Sequence, residues 1–127
     1  MRVAVKYLPS VFVAGIIMYL SLLRNPSFSL PAIPHSDKAA HMLMYLVLSL
    51  CFTYALLKTP MKRAKLRTAA AIVIPSVYGG AIELLQEWFF YPRTGTWGDW
   101  AADITGVLIG YFAIILLQKW KTNASMK

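Results

Sequence analysis

Glu83-Leu84-Leu85-Gln86-Glu87-Trp88, followed by Arg93 and then by Asp99-Trp100-Ala101-Ala102-Asp103-Ile104-Thr105-Gly106, is the stretch that decides how this chain is read. The first run closes one long apolar segment and the last opens the next. Every Asp and Glu in the protein except Asp37 lies in it. Acidic groups at the ends of apolar segments need a physical reason to be there. The reading developed here is that they meet Asp37, Lys38 and His41 at one membrane surface and form a polar site.

Working outward, 58% of the 127 residues are hydrophobic, and the mean hydropathy is +0.56. A soluble domain of this size is about half apolar. Charge-free runs of about 18 residues read as membrane spans. Four apolar segments follow one another, residues 7–23, 39–57, 68–88 and 100–120, the last two carrying charge only near their ends. The expectation is therefore an all-α protein, a four-transmembrane-helix bundle forming a single domain over 1–127. Arg2 and Lys6 precede the first run in the manner of a signal peptide, but no Ala-x-Ala type site follows clearly, so the run reads as a retained span. Pro26, Pro31 and Pro34 exclude a regular helix between the first two spans. Pro75 is expected to kink the third. Gly79-Gly80 and Gly106-x-x-x-Gly110 are expected to let helix backbones approach closely. Cys51 is the one cysteine and cannot form an internal disulfide; it reads as packing.

The net charge of +8 would suggest nucleic acid in a soluble protein. Here Lys62, Arg63, Lys65 and Arg67 make a short basic loop without aromatic interleaving, so no nucleic-acid partner is expected. The basic residues orient the chain instead. Arg2, Lys6, the 58–67 loop, Lys119, Lys121 and Lys127 fall on one side of a four-span layout, and Arg24, Lys38 and Arg93 on the other. The positive-inside rule then places both termini in the cytoplasm. In that layout Asp37, His41, Glu83, Gln86, Glu87, Arg93, Asp99 and Asp103 all gather at the outer end. Glu83 sits roughly 6–8 Å below the end of its span at 1.5 Å per residue, with His41 and Asp103 at comparable depth.

Each of these residues also has a plainer reading. Asp37 and Asp99 can be helix N-caps. Gln86 and Glu87 can be solvated at the interface. Arg93 serves equally as a headgroup anchor or as a bidentate partner of carboxylate or phosphate. Tyr45, Trp97 and Trp100 read as interfacial or packing residues. Glu83, His41 and Asp103 differ because they lie deeper in apolar segments, where ionisable groups are expensive and mark function. One well-placed His with carboxylates is a weak case for zinc, there is no His-Glu-x-x-His, and no metal or cofactor is expected. No serine stands near the acidic cluster to serve as a nucleophile.

Asp37-Lys38-x-x-His41-x-x-x-Tyr45, Glu83-x-x-Gln86, Arg93, and Asp99 with Gly106 and Gly110 together resemble the VanZ-like family of small bacterial membrane proteins. The resemblance runs from about Ser36 to Gly110. It implies that Asp37, Lys38, His41 and Tyr45 form one motif, that Glu83 and Gln86 are an acidic–amide pair, and that Arg93 and Asp99 belong to the same site. Family members often carry Asn where this chain has Asp103, so the presumed pocket here holds an extra negative charge. The family is named for a protein associated with resistance to teicoplanin, a lipoglycopeptide. The resemblance also implies a multi-pass protein of the bacterial cytoplasmic membrane.

The functional expectation is a cell-envelope protein whose outer-leaflet polar pocket engages an amphiphile, either a lipid-linked envelope component or a lipoglycopeptide. Asp37, Lys38, Tyr45, Gln86, Arg93 and Asp99 would bind it. Glu83, His41 and Asp103 would order its head, or move protons if there is catalysis. Trp97, Trp100 and Phe90 would line the acyl side. The first alternative is a hydrolase or transferase acting on a lipid-linked substrate, with Glu83 as acid or base. The second is an interaction module that pairs with itself or another membrane protein through its glycines. A transporter fits least, since four spans without a repeat leave little room for alternating access.

Overall fold

The computed structural model describes residues 2–22, 36–89 and 97–126, with the backbone alone for Ser36 and Asp37. It is all-helical among those residues. A single turn, α1 (Val3–Lys6), leads into α2 (Leu8–Leu22); α3 (Ser36–Leu57), α4 (Ala64–Phe89) and α5 (Trp97–Ser125) follow. Lys38–Leu57 of α3 and the whole of α4 and α5 are long and apolar enough to cross a membrane, and α2 is a shorter apolar helix. This is the make-up of a multi-pass membrane protein.

Two helix limits differ most from the expected ones, and α3 and α5 each begin three residues early, at Ser36 and Trp97. α4 begins at Ala64, so Lys65 and Arg67 stand on its first turn rather than in a loop. Ala, Lys, Leu and Arg are all strong helix formers, and polar residues on an exposed first turn resemble a loop only in a hydropathy profile. For the same reason α5 continues through Lys119 and Lys121 to Ser125. Pro75 lies inside α4 without ending it. The proline-containing loop after α2, Phe90 and Arg93 lie outside the described residues.

α3 is the centre of the packing and touches α2, α4 and α5, most extensively α5. Two glycines explain that seam. A Cβ on Gly106 would lie 2.2 Å from the Met42 carbonyl oxygen, and one on Gly110 would lie 2.7 Å from the Leu46 carbonyl oxygen. Only glycine admits the α3 backbone at that distance. Between them, Ser49 donates from Oγ to the Val107 carbonyl at 2.8 Å. Gly79-Gly80 works differently from the expected backbone approach. The space at Gly79 is taken by the Asp103 carboxylate and the Tyr45 ring, and at Gly80 by the Trp100 indole.

α2 is tied to α4 by two side chains that reach its backbone: Tyr78 donates to the Ala14 carbonyl and Gln86 to the Ser21 carbonyl. At the opposite end, Lys6 donates to the Lys58 carbonyl, and the hydroxyls of Tyr7 and Thr59 are 2.9 Å apart. The start of α2 thus meets the end of α3, making the two antiparallel. Ile17 of α2, Tyr45 and Leu48 of α3, Ile82 of α4 and Val107 of α5 form the core. The outer surface is apolar in turn, with Phe12, Val77, Phe112 and Leu116 all more than half exposed. So broad an apolar exterior belongs against lipid or a partner rather than water.

Candidate functional site: a buried His–Glu–Asp cluster beside an apolar groove

Three helices each contribute one ionisable side chain to a single point. His41 comes from α3, Glu83 from α4 and Asp103 from α5, and all three are buried. His41 Nδ1 lies 2.9 Å from Asp103 Oδ1 and 3.6 Å from Glu83 Oε1. With its proton on Nδ1, His41 donates to Asp103. The second Asp103 oxygen, Oδ2, has no hydrogen-bond partner among the described residues and faces the space left by Gly79, where a Cβ would come within 2.9 Å of it. Gly79 is therefore what lets Asp103 turn inward against α4.

Tyr45 stands one turn along α3 from His41 and is fully buried. The edge of its ring shares the Gly79 space with Asp103 Oδ2, and its hydroxyl has no hydrogen-bond partner among the described residues. A buried hydroxyl without a partner costs about 1–3 kcal/mol, and here it stands beside the unpartnered Asp103 Oδ2, whereas Ser10, Ser21 and Thr53, whose hydroxyls are also buried without a partner among the described residues, lie elsewhere in the bundle. One turn toward the starts of α3 and α5, Lys38 Nζ and Asp99 Oδ1 stand 3.8 Å apart. Asp99 is buried and Lys38 about half exposed. The α3–α5 seam thus carries two charged contacts, an outer Lys–Asp pair and an inner His–Asp pair.

The expected site residues therefore divide. His41, Glu83, Asp103 and Tyr45 come together, with Lys38 and Asp99 one turn away. Gln86 does not join them. It is 2% exposed and spends its amide on the Ser21 carbonyl, so it is a buried tie between α2 and α4 rather than a solvated interface residue. Glu87 is exposed. The Asp37 side chain and Arg93 lie outside the described residues.

Comparison with protein-family models, with curated proteins and with solved structures finds no match. The reading of the site therefore rests on its geometry.

Beside the cluster, between α4 and the first turn of α5, runs a groove of about 510 Å³ lined by Val77, Gly80, Ala81, Glu83, Leu84, Glu87, Trp97 and Trp100. Glu83 belongs to both places, since it reaches His41 on one side and forms part of the groove wall on the other. Val77, Leu84 and Trp97 are exposed, so the groove opens on the apolar exterior. The indole of Trp100 is fixed by donation from Nε1 to the Ser76 carbonyl at 2.9 Å, across the gap that the missing Cβ of Gly80 leaves. Trp97 stacks near it, ring centroids 5.5 Å apart. Sequence reading named the acids and the tryptophans but gave no sign of Gly80 as the residue that seats Trp100. The signal available was the Gly-Gly pair itself, which marks a space without saying what fills it.

Proposed function

We propose that this chain is a cell-envelope membrane protein that holds an amphiphile in the groove between α4 and α5, with the polar head of the ligand against Glu83. The observation that carries this reading is the double position of Glu83. Binding sites for such molecules are concave and mostly apolar, with a few convergent polar groups, and this groove combines apolar walls with two carboxylates, Glu87 exposed and Glu83 backed by a buried polar cluster. The ligand class follows from the resemblance to VanZ-like proteins: a lipid-linked envelope component or a lipoglycopeptide. Four spans with both termini in the cytoplasm suit this role. α2 alone is short, but Val11 N–H donates to the Tyr7 carbonyl at 3.0 Å, so the helical path continues back through Tyr7 into α1. From Val3 to Leu22 that path is roughly 30 Å long at 1.5 Å per residue, the thickness of the hydrocarbon core. The acidic cluster and the groove then face the outer leaflet.

Glu83 favours one second reading, an enzyme acting on a lipid-linked substrate. It is the cluster member that reaches the groove, so it would be the acid or base, with His41 and Asp103 setting its charge. The interaction-module reading loses support, because Gly106 and Gly110 are taken up by the chain's own α3.

The test is lipoglycopeptide susceptibility in a sensitive Gram-positive host expressing wild type, Glu83→Gln or Asp99→Asn at matched membrane abundance. Protection by wild type that is lost in Glu83→Gln supports the proposal. No protection from well-inserted wild type removes the lipoglycopeptide and leaves a lipid-linked ligand to be sought.

A further inference from the structure

We propose that His41, Glu83 and Asp103 bind one borderline divalent metal ion, of which Zn²⁺ is the type. The cluster alone carries this, whatever occupies the groove. One ligand atom from each of the three residues can be chosen so that all lie within 4.8 Å of one another. Donor atoms at about 2.0–2.1 Å from a tetrahedral ion stand roughly 3.3 Å apart. The two separations from His41 Nδ1, 2.9 Å to Asp103 and 3.6 Å to Glu83, bracket that value. Small rotamer adjustments bring the three onto an ion, and the ion replaces the Nδ1 proton.

A second observation points to the same place. Among the described residues, the Tyr45 hydroxyl, on a fully buried side chain, has no hydrogen-bond partner, and neither has Asp103 Oδ2. The Tyr45 ring edge and Asp103 Oδ2 crowd the same space at Gly79. Three protein ligands leave a fourth position open for water. A metal-bound water can donate to Asp103 Oδ2 and accept from the Tyr45 hydroxyl, giving both groups a partner. Charge argues the same way. Two carboxylates and a neutral imidazole carry two negative charges in an apolar interior, where uncompensated charge is severely penalised, and a dication cancels both. The donor set narrows the choice further. Imidazole favours Zn, Fe and other transition metals, while carboxylates alone favour Mg, Ca and Mn. The long sequence separations within the triad explain why no ligand-spacing motif announces it.

The experiment is metal analysis of the full chain purified in detergent without chelator, then stripped and reloaded with Zn²⁺ and, for its visible spectrum, Co²⁺. Wild type is expected to keep about one ion per chain through desalting and to melt at a higher temperature when loaded. Asp103→Asn and His41→Gln, checked for helicity and size, should fall to background, while Ser49→Ala, in the same α3–α5 seam, should retain the ion. Co²⁺ bound by one nitrogen and carboxylate oxygens should show bands that vanish in Asp103→Asn. Folded wild type that retains no metal and does not change its melting temperature with Zn²⁺, Mn²⁺ or Co²⁺ overturns the proposal, whether or not the variants fold. Equal retention by wild type and a folded Asp103→Asn overturns it as well.

Discussion

Adding one methyl at Gly106 should open the α3–α5 seam and break the His41–Asp103 contact with it. A Cβ there would stand 2.2 Å from the Met42 carbonyl oxygen and 3.0 Å from the Leu46 nitrogen, against 3.4–4 Å for ordinary van der Waals contact. The obstructing atoms are backbone, so no rotamer change relieves them, and the helices must part by roughly 1 Å. A gap of about 0.5–1 Å forfeits a quarter to a half of each dispersion contact along the seam, and overpacking of this kind costs typically about 1–3 kcal/mol, occasionally more. Asp103 lies less than a turn before Gly106, and His41 is next to Met42. The same movement takes the 2.9 Å His41–Asp103 contact to roughly 4 Å, beyond hydrogen-bond range. Gly110→Ala meets its obstacle at 2.7 Å and should cost less. Gly15→Ala meets nothing within 4 Å and should be neutral or slightly stabilising. The assay is thermal or denaturant unfolding of the three variants in one detergent, followed by helical signal. The expected order of stability is Gly15→Ala, then Gly110→Ala, then Gly106→Ala. Gly106→Ala unfolding with Gly15→Ala would refute the packing account.

Other residues make independent predictions. Gln86→Leu leaves the Ser21 carbonyl without its donor and should cost about 1–3 kcal/mol; it should loosen α2, read as faster proteolysis or amide exchange there, without changing the cluster. Gly80→Leu collides with the Trp100 indole and should expel it, seen as a shift in tryptophan emission and loss of any ligand from the groove, while Ala81→Trp should fill the groove and leave Trp100 bonded to Ser76. In a Cys51→Ser background, Trp97→Cys should react with an impermeant maleimide from outside the cell and Ala64→Cys only from inside; the reverse pattern would put the groove in the other leaflet.

Much of this architecture was legible in the residues, and the losses have physical causes. The apolar runs announced the helices because lipid-spanning length is a strict demand. Gly106-x-x-x-Gly110 announced a close seam, and its partner proved to be α3. His41, Glu83 and Asp103 could be grouped because the alternation of span directions brings the start of α3, the end of α4 and the start of α5 to one end. Helix limits at Ala64 and Ser125 were less legible, since lysine and arginine on an exposed turn lower hydropathy without lowering helix propensity. Gln86 looked like an interface residue because its partner, the Ser21 carbonyl, is 65 positions away and is a backbone group, which leaves no mark in sequence. The same holds for Trp100 and the Ser76 carbonyl. The groove depends on these unannounced contacts, since they hold its aromatic wall in place.

The most direct measurement of the central claim is mass spectrometry of what stays bound to the protein when it is released intact from its native membrane. Wild type is compared with Ala81→Trp and Glu83→Gln. The account predicts a defined amphiphile on wild type, with a polar or lipid-linked head, that is displaced by Ala81→Trp and depleted in Glu83→Gln. The same bulk phospholipids on all three, in the same amounts, would contradict it.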